Sequence, residues 1–471
     1  MEVLHFVILE KEKEMNDIVY VLLTALVIAI AAFMIIKKTD SKLVFFFVGT
    51  ASLLVITFIT QQSVLGKATT GNIYIDVVDV IRLKFIDTVK GTGMRLMVIA
   101  GYVMLMNHMK ASNVLAAAAG KVLVKLKSPY MILGGVFIVG SILKIFITSQ
   151  ISLGLLFMAT IFPILIQLGV SKVSAAAVLI TIGMLDMGPN DSSAIFGATE
   201  VMKISPMEYF LSYESKVGFV IILVMAVFYS FYFKYLDKKE YGSSSSASNS
   251  LKEFSPRDFG VPLFYGVFPL IPLVIVVLSS FQHSFKLDII TANLIGFFIV
   301  FICDLIVTKD AKRLGENLKK VFEWMGQYFT NIVVIIVAAG IFAEAIKQLK
   351  GITILANWCS QLTGATFIAV LMLSIIIFGT AILTGSGNAP WYAFSPLTPD
   401  IANVLGTQTA TFAVPMHLAS GVGRCISPFC GGVIAISGVA EVEIKDVIKR
   451  NMVPMVLSYI LNIIVSYVIF A

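Results

Sequence analysis

The chain has 471 residues, of which 58% are hydrophobic and 13% charged, and its mean hydropathy is +0.93. Soluble domains carry about 25% charged residues, so this composition excludes an ordinary water-soluble protein and predicts an all-α polytopic membrane protein. The formal charge of +7 comes from basic residues in short loops between apolar runs, which argues against a nucleic-acid partner and fits positive-inside topology.

In chain order, the stretch EKEKE at 10–14 precedes the first apolar run. With no basic start and no small-residue cleavage site, a cleaved signal peptide is not expected. Spanning a bilayer takes about 20 apolar residues. Such runs lie at 18–36, 43–60 and 217–235, with a shorter one at 96–109. The polar stretch 237–258, rich in serine and charge, cannot bury apolar surface and reads as a cytoplasmic linker. Further spans are expected at 261–280, 287–307, 325–346 and 447–470. Cys303, Cys359, Cys425 and Cys430 fall in or beside apolar segments, and no histidine or further cysteine completes a zinc set.

Two regions break the pattern, one in each half. The first holds a hairpin over 129–170 with the tip TSQIS (148–152), then a helix over 174–198 interrupted at DMGPNDSS (186–193). The second holds a hairpin over 365–405 with the tip TGSGNAP (384–390), then a helix over 407–437 interrupted at SGVGRCISP (420–428). GATEVMKIS at 197–205 matches GVAEVEIKD at 438–446, 241 residues later, so 1–236 and 259–471 read as two copies of one plan. Five spans and one re-entrant segment per half place the second copy upside down. The expected fold is therefore about ten transmembrane helices plus two re-entrant helical hairpins in two inverted repeats. Lysine and arginine placement agrees with this count, both termini lying outside. The amphipathic stretches 112–127 and 309–323 are expected along the membrane surface.

Non-helical backbone at membrane depth is tolerated only where protein or a water-filled cavity satisfies its polar groups. Paired interruptions in two repeats point to a transporter's binding site. The Thr384 and Ser386 hydroxyls and the Asn388 amide oxygen suit a sodium ion, and Gly385 and Gly387 let the backbone approach a ligand. Arg424, inside the fourth break, costs roughly 2.5–3.5 kcal/mol at the bilayer centre; it reads either as a bidentate clamp on a carboxylate or as a counter-ion for Asp186 or Asp191. Those two acids can bind a coupling cation, carry a proton or cap a half-helix, capping being the reading for Asp191. Lys144, one turn before Thr148, pairs with one of them or meets substrate. His417 is a candidate for titration or a structural polar residue.

GSGNAPWYAF (385–394) together with GRCISPFCGGVIAISGVA (423–440) resembles the anaerobic C4-dicarboxylate carriers of the DcuC type, within the ion transporter superfamily. SPYMILGG (128–135), LLFMATIFPILIQLGVS (155–171) and VAAGIFAEA (337–345) extend the likeness over most of the chain. The resemblance implies secondary active exchange or export of fumarate, succinate and similar dianions across a bacterial inner membrane. It also implies an elevator motion, a homodimer, and no cofactor beyond a coupling Na+ or H+. Carried over by position, the substrate site comprises Ser386, Gly387, Asn388, Arg424, Ser427 and the break at 189–193 with Asn190, Asp191 and Ser192. Thr148 and Ser149 join it at the counterpart tip.

The first break departs from that family's pattern, in which a Pro-Thr-Ser-Gly tetrad is expected with an acid two residues later. This raises an alternative substrate, an amino acid or other carboxylate, with its ammonium on Asp186 or Asp191 and its carboxylate on Arg424. An intramembrane enzyme would need both acids converging on one water; they share one short break, and no nucleophile–base motif accompanies them.

Overall fold

The computed structural model describes residues 2–123, 128–241, 259–281, 287–359 and 364–471, and among these it is helical throughout with no strand. Eight helices are long and apolar enough to cross a membrane, and shorter apolar helices lie between them. The expected span at 261–280 is one of the shorter ones. Pro262, Pro269 and Pro272 each lack an N–H, so the segment starts as a 3-10 turn, Leu263–Leu270, before the helix Ile271–Phe281.

Two very long helices form the middle of a frame. Ile73–His108 carries a π turn at Val89–Gly93, and Ala311–Leu349 carries one at Phe329–Val333. A π turn inserts one extra residue and re-registers the faces on either side of it. In the second helix this joins an amphipathic arm, Ala311–Tyr328, to the apolar stretch Val334–Leu349. The arm expected at 309–323 is thus continuous with a span. The first arm is a helix over Ala111–Leu123, and its end at 124–127 lies outside the described residues. The two π turns pack together and lie 240 residues apart in the chain, close to the spacing of the matched sequence stretches. Ser41–Thr60 and Ile289–Thr308 complete the frame, packed against Val334–Leu349 and Met94–His108 respectively.

The second body contains the interrupted elements. Pro129–Lys144 turns through 145–149 into Gln150–Thr160, and Phe162–Gln167 continues the return, packed against Pro129–Lys144. Lys172–Thr181 ends in a ten-residue break before Ser192–Phe196. In the second half, Ala365–Thr384 turns at Gly385–Gly387 into Asn388–Phe394, and Ala410–Arg424 breaks before Gly431–Ala440. One large apolar core runs through both hairpins and both broken helices, whereas the frame has two small clusters of its own, around Tyr102 and around Val337.

The helix Ser215–Tyr241 runs five residues into the stretch expected as linker. The reason is Asp237, whose carboxylate accepts from Ser171, Ser174, Tyr130 and Arg450 and is buried there. The remainder, 242–258, lies outside the described residues.

Candidate functional site

The four breaks meet. Gln150, just past the first tip, donates through Nε2 to the Ile180 carbonyl at 2.7 Å and touches Cys425 Sγ at 3.6 Å, tying the first tip to both broken helices. Gly188 lies so close to Ile145 that an added Cβ would stand 3.3 Å from its Cα. The second tip leaves even less room. A Cβ on Gly385 would fall 2.6 Å from the Phe429 carbonyl oxygen, and one on Gly387 would fall 2.5 Å from that of Ser420. Gly385 also has φ +74°, which favours glycine. These two glycines make a backbone-on-backbone contact between tip and broken helix.

Around the first break the structure gathers four charges, Lys144, Asp186 and Asp191 buried and Arg424 half-buried. Lys144 Nζ stands 2.7 Å from Asp191 Oδ2 and 3.3 Å from Asp186 Oδ1. Arg424 Nη2 stands 2.5 Å from that same Asp186 oxygen and 2.8 Å from the Gly183 carbonyl. Asp191 Oδ1 accepts from the Ser193 N–H and hydroxyl, capping Ser192–Phe196. Two cations meet two anions, as burial demands, because an unpaired charge costs several kcal/mol out of water. Of the two readings of Arg424, the counter-ion geometry is the one present. Its Nε and Asp186 Oδ2 have no partner among the described residues.

A cavity of about 30 Å³ opens where the frame faces this break. Thr148, Asn190, Asp191 and Ser192 line one wall; Leu96, Ile99, Ala100 and Tyr328 of the two long helices line the other. Beside it Thr92 of the first π turn meets Thr199 at 2.7 Å and Glu200, a second polar bridge between frame and hairpin body.

The other expected residues fall outside that wall. Ser149 caps the return arm, accepting from Ser152 N–H, and Ser427 accepts from Phe429 N–H. Thr384 donates to the Thr380 carbonyl and accepts from Ser386 N–H, so its hydroxyl closes the tip. The side chains of Ser386 and Asn388 are half-buried, with no hydrogen bond among the described residues. His417 Nδ1 is 2.9 Å from Glu214 Oε1, and both side chains are fully buried. No cluster of three or more His, Cys, Asp or Glu able to hold a metal occurs among the described residues.

Sequence reading missed Glu214 and Tyr328. The first carries a signal: a lone acid in FLSYESKVGFV, next to a run of about 20 apolar residues. Tyr328 carries none, since it ends an amphipathic arm like any interfacial tyrosine.

Residues 15–471 match the family of the C4-dicarboxylate anaerobic carrier, DcuC. The chain belongs to that family. The anaerobic C4-dicarboxylate transporter DcuC of Escherichia coli K12 is 29% identical over 447 residues, covering 94% of this chain and 96% of the relative. A Vibrio cholerae protein named as a probable anaerobic C4-dicarboxylate transporter DcuC is 31% identical over 424 residues, 88% of this chain and 91% of its own length. Among solved structures, Neisseria gonorrhoeae MtrF, described with a class of antimetabolite efflux pumps, superposes with a TM-score of 0.53 at 12% identity, covering 84% of each chain. The Alcanivorax borkumensis YdaH transporter, described as having an unusual topology, gives 0.53 at 13% identity, covering 92% of this chain and 97% of its own. At such identity these two establish the fold alone. This DcuC-family chain is accordingly a multi-pass carrier of the bacterial inner membrane, not an enzyme.

Proposed function

We propose that the chain carries C4-dicarboxylate dianions such as succinate and fumarate, by exchange or export, with the hairpin body sliding past the long-helix frame as an elevator. The observation that carries this reading is the meeting of four helix breaks in one body, two of which, at Thr148 and at Asn190–Ser192, line a polar cavity shared with the frame. Small-molecule pockets measure roughly 300–1,000 Å³, and a single water needs about 10–15 Å³. A cavity of about 30 Å³ holds only water, so substrate entry requires frame and body to part at Tyr328.

Thr148, Asn190, Ser192 and Tyr328 offer neutral donors for a carboxylate, and Arg424 Nε remains for the second. Both acids are already paired with Lys144 and Arg424, so an amino-acid ammonium would have to compete with those cations, which favours a dianion. Ser386 and Asn388 support a coupling Na+ better than Thr384, whose hydroxyl is engaged. Importing a dianion against 100 mV costs about 4.6 kcal/mol, whereas exchange or export carries no such cost.

Proteoliposomes loaded with unlabelled succinate and given labelled succinate outside, with no ion gradient, test the reading. Accumulation of label that unlabelled fumarate suppresses is the expected result. No accumulation by folded protein would exclude C4-dicarboxylate exchange.

A further inference from the structure

Behind the first break lies a second ionisable group of residues, unused by the substrate reading. Glu214 closes a π turn at Phe210–Glu214, and its Oε2 accepts from the Gly188 N–H at 3.1 Å. Its other oxygen faces His417 Nδ1 at 2.9 Å. Tyr209 presents its hydroxyl to the same nitrogen at 3.4 Å. The Trp391 ring stacks on the imidazole at 4.9 Å between centroids and donates from Nε1 to the Ser193 carbonyl. His417 Nε2 is buried with no partner among the described residues. Asp186 and Asp191 of the neighbouring break are each held by a cation, Arg424 and Lys144 respectively.

Charge counting makes this pair informative. Lys144 and Arg424 cancel Asp186 and Asp191. Glu214 and His417 are neutral together only when they hold one proton between them, as carboxylate with imidazolium or as acid with imidazole. Without it the pair buries a net negative charge, and with two protons a net positive one; each is costly at a site fully shielded from water. Such a pair loads and unloads one proton when its surroundings open, and its contact with Gly188 places it against the backbone of a substrate-facing break.

We propose that Glu214 and His417 form a proton-carrying site of this transporter, loaded with one proton in the conformation described and emptied as the break moves. This rests on the carrier reading above. The test uses wild-type proteoliposomes with a pH-sensitive dye inside, at mildly alkaline pH where both succinate carboxyls are ionised. Net entry of succinate into vesicles that start free of it should acidify the lumen, whereas one-for-one exchange would move a proton each way and cancel. Counterflow in a second, succinate-loaded set of vesicles reports separately on whether the protein carries succinate.

E214Q keeps an acceptor for Gly188 N–H but cannot titrate as a carboxylate. It should retain counterflow and lose the acidification. Succinate entry without acidification in the wild type, or acidification per succinate undiminished in E214Q, would overturn the proposal while leaving the carrier reading standing. If E214Q fails to reconstitute, H417Q is read for the same two outcomes. Failure of counterflow in the wild type would instead strike the carrier reading.

Discussion

The two halves build the same interruption from opposite materials. In the first, the broken helix is held by charge: Lys144 reaches back from the hairpin to Asp186 and Asp191, and Arg424 crosses over from the other half. In the second, the tip is held by the absence of side chains, with Gly385 and Gly387 laid against the carbonyls of Phe429 and Ser420. Charge tolerates a cavity beside it, because ion pairs act across a gap and a neighbouring carboxylate can still face solvent or substrate. Backbone contact does not. The polar cavity accordingly lies at the first break, and the second break serves as a close-packed backing.

If charge holds the first break, removing one partner should be the most damaging change in the molecule. Lys144→Met strands the buried Asp191 and leaves Asp186 to Arg424 alone, and breaking a buried pair this way costs about 3–5 kcal/mol. A large fall in thermal unfolding temperature and in membrane yield is expected. Adding Asp191→Asn to the same chain removes one stranded charge and should recover part of the loss, a coupling that a double-mutant cycle measures. Absence of recovery would mean that Lys144 acts by packing its stem rather than by its charge.

The second break should yield to a single methyl group. Gly385→Ala meets the Phe429–Cys430 backbone within 2.7 Å and also forces alanine to φ +74°, a combination expected to cost about 1–3 kcal/mol. Gly379 lies in the same helix, Ala365–Thr384, with nothing within 4 Å of its would-be Cβ. There the same substitution should stabilise by about 0.5–1 kcal/mol, since alanine is the better helix former. Thermal unfolding of the two variants side by side reads the contrast. Equal effects would mean that the tip is not packed against the fourth break.

What the sequence revealed follows the same division. The breaks were legible because glycine, proline and hydroxyl residues inside apolar runs are local signals. The interruptions at 145–149, 182–191, 385–387 and 425–430 overlap TSQIS, DMGPNDSS, TGSGNAP and SGVGRCISP, with Gln150–Ser152 and Ser420–Arg424 remaining helical. Pairings across the fold were not legible. Lys144 meets an acid 47 residues away, and Arg424 meets one 238 residues away; sequence alone left both partners open. The π turns at Val89–Gly93 and Phe329–Val333 have no residue signature, so the two longest helices read as separate, shorter pieces. The expected ten spans depended on counting such pieces; among the described residues eight helices are long and apolar enough to cross a membrane, with shorter apolar helices such as Leu263–Val276 beside them.

The smallest structural effect, and the sharpest functional one, belongs to Asn388. It stands at the start of the return arm Asn388–Phe394, half-buried, with its amide making no hydrogen bond among the described residues. Truncating a side chain that holds nothing should change stability by less than about 0.5 kcal/mol, unlike Thr384, whose hydroxyl closes the tip through Thr380 and Ser386. If its amide oxygen serves a passing ion or dianion, Asn388→Ala should keep normal membrane yield and unfolding temperature yet lose succinate counterflow. Normal counterflow in that variant would confine the substrate to the charged break and leave the second tip a purely structural wedge. Loss of counterflow with intact stability would mean that the tightly packed half also touches cargo, and that the two interruptions, built from different materials, act on the same molecule.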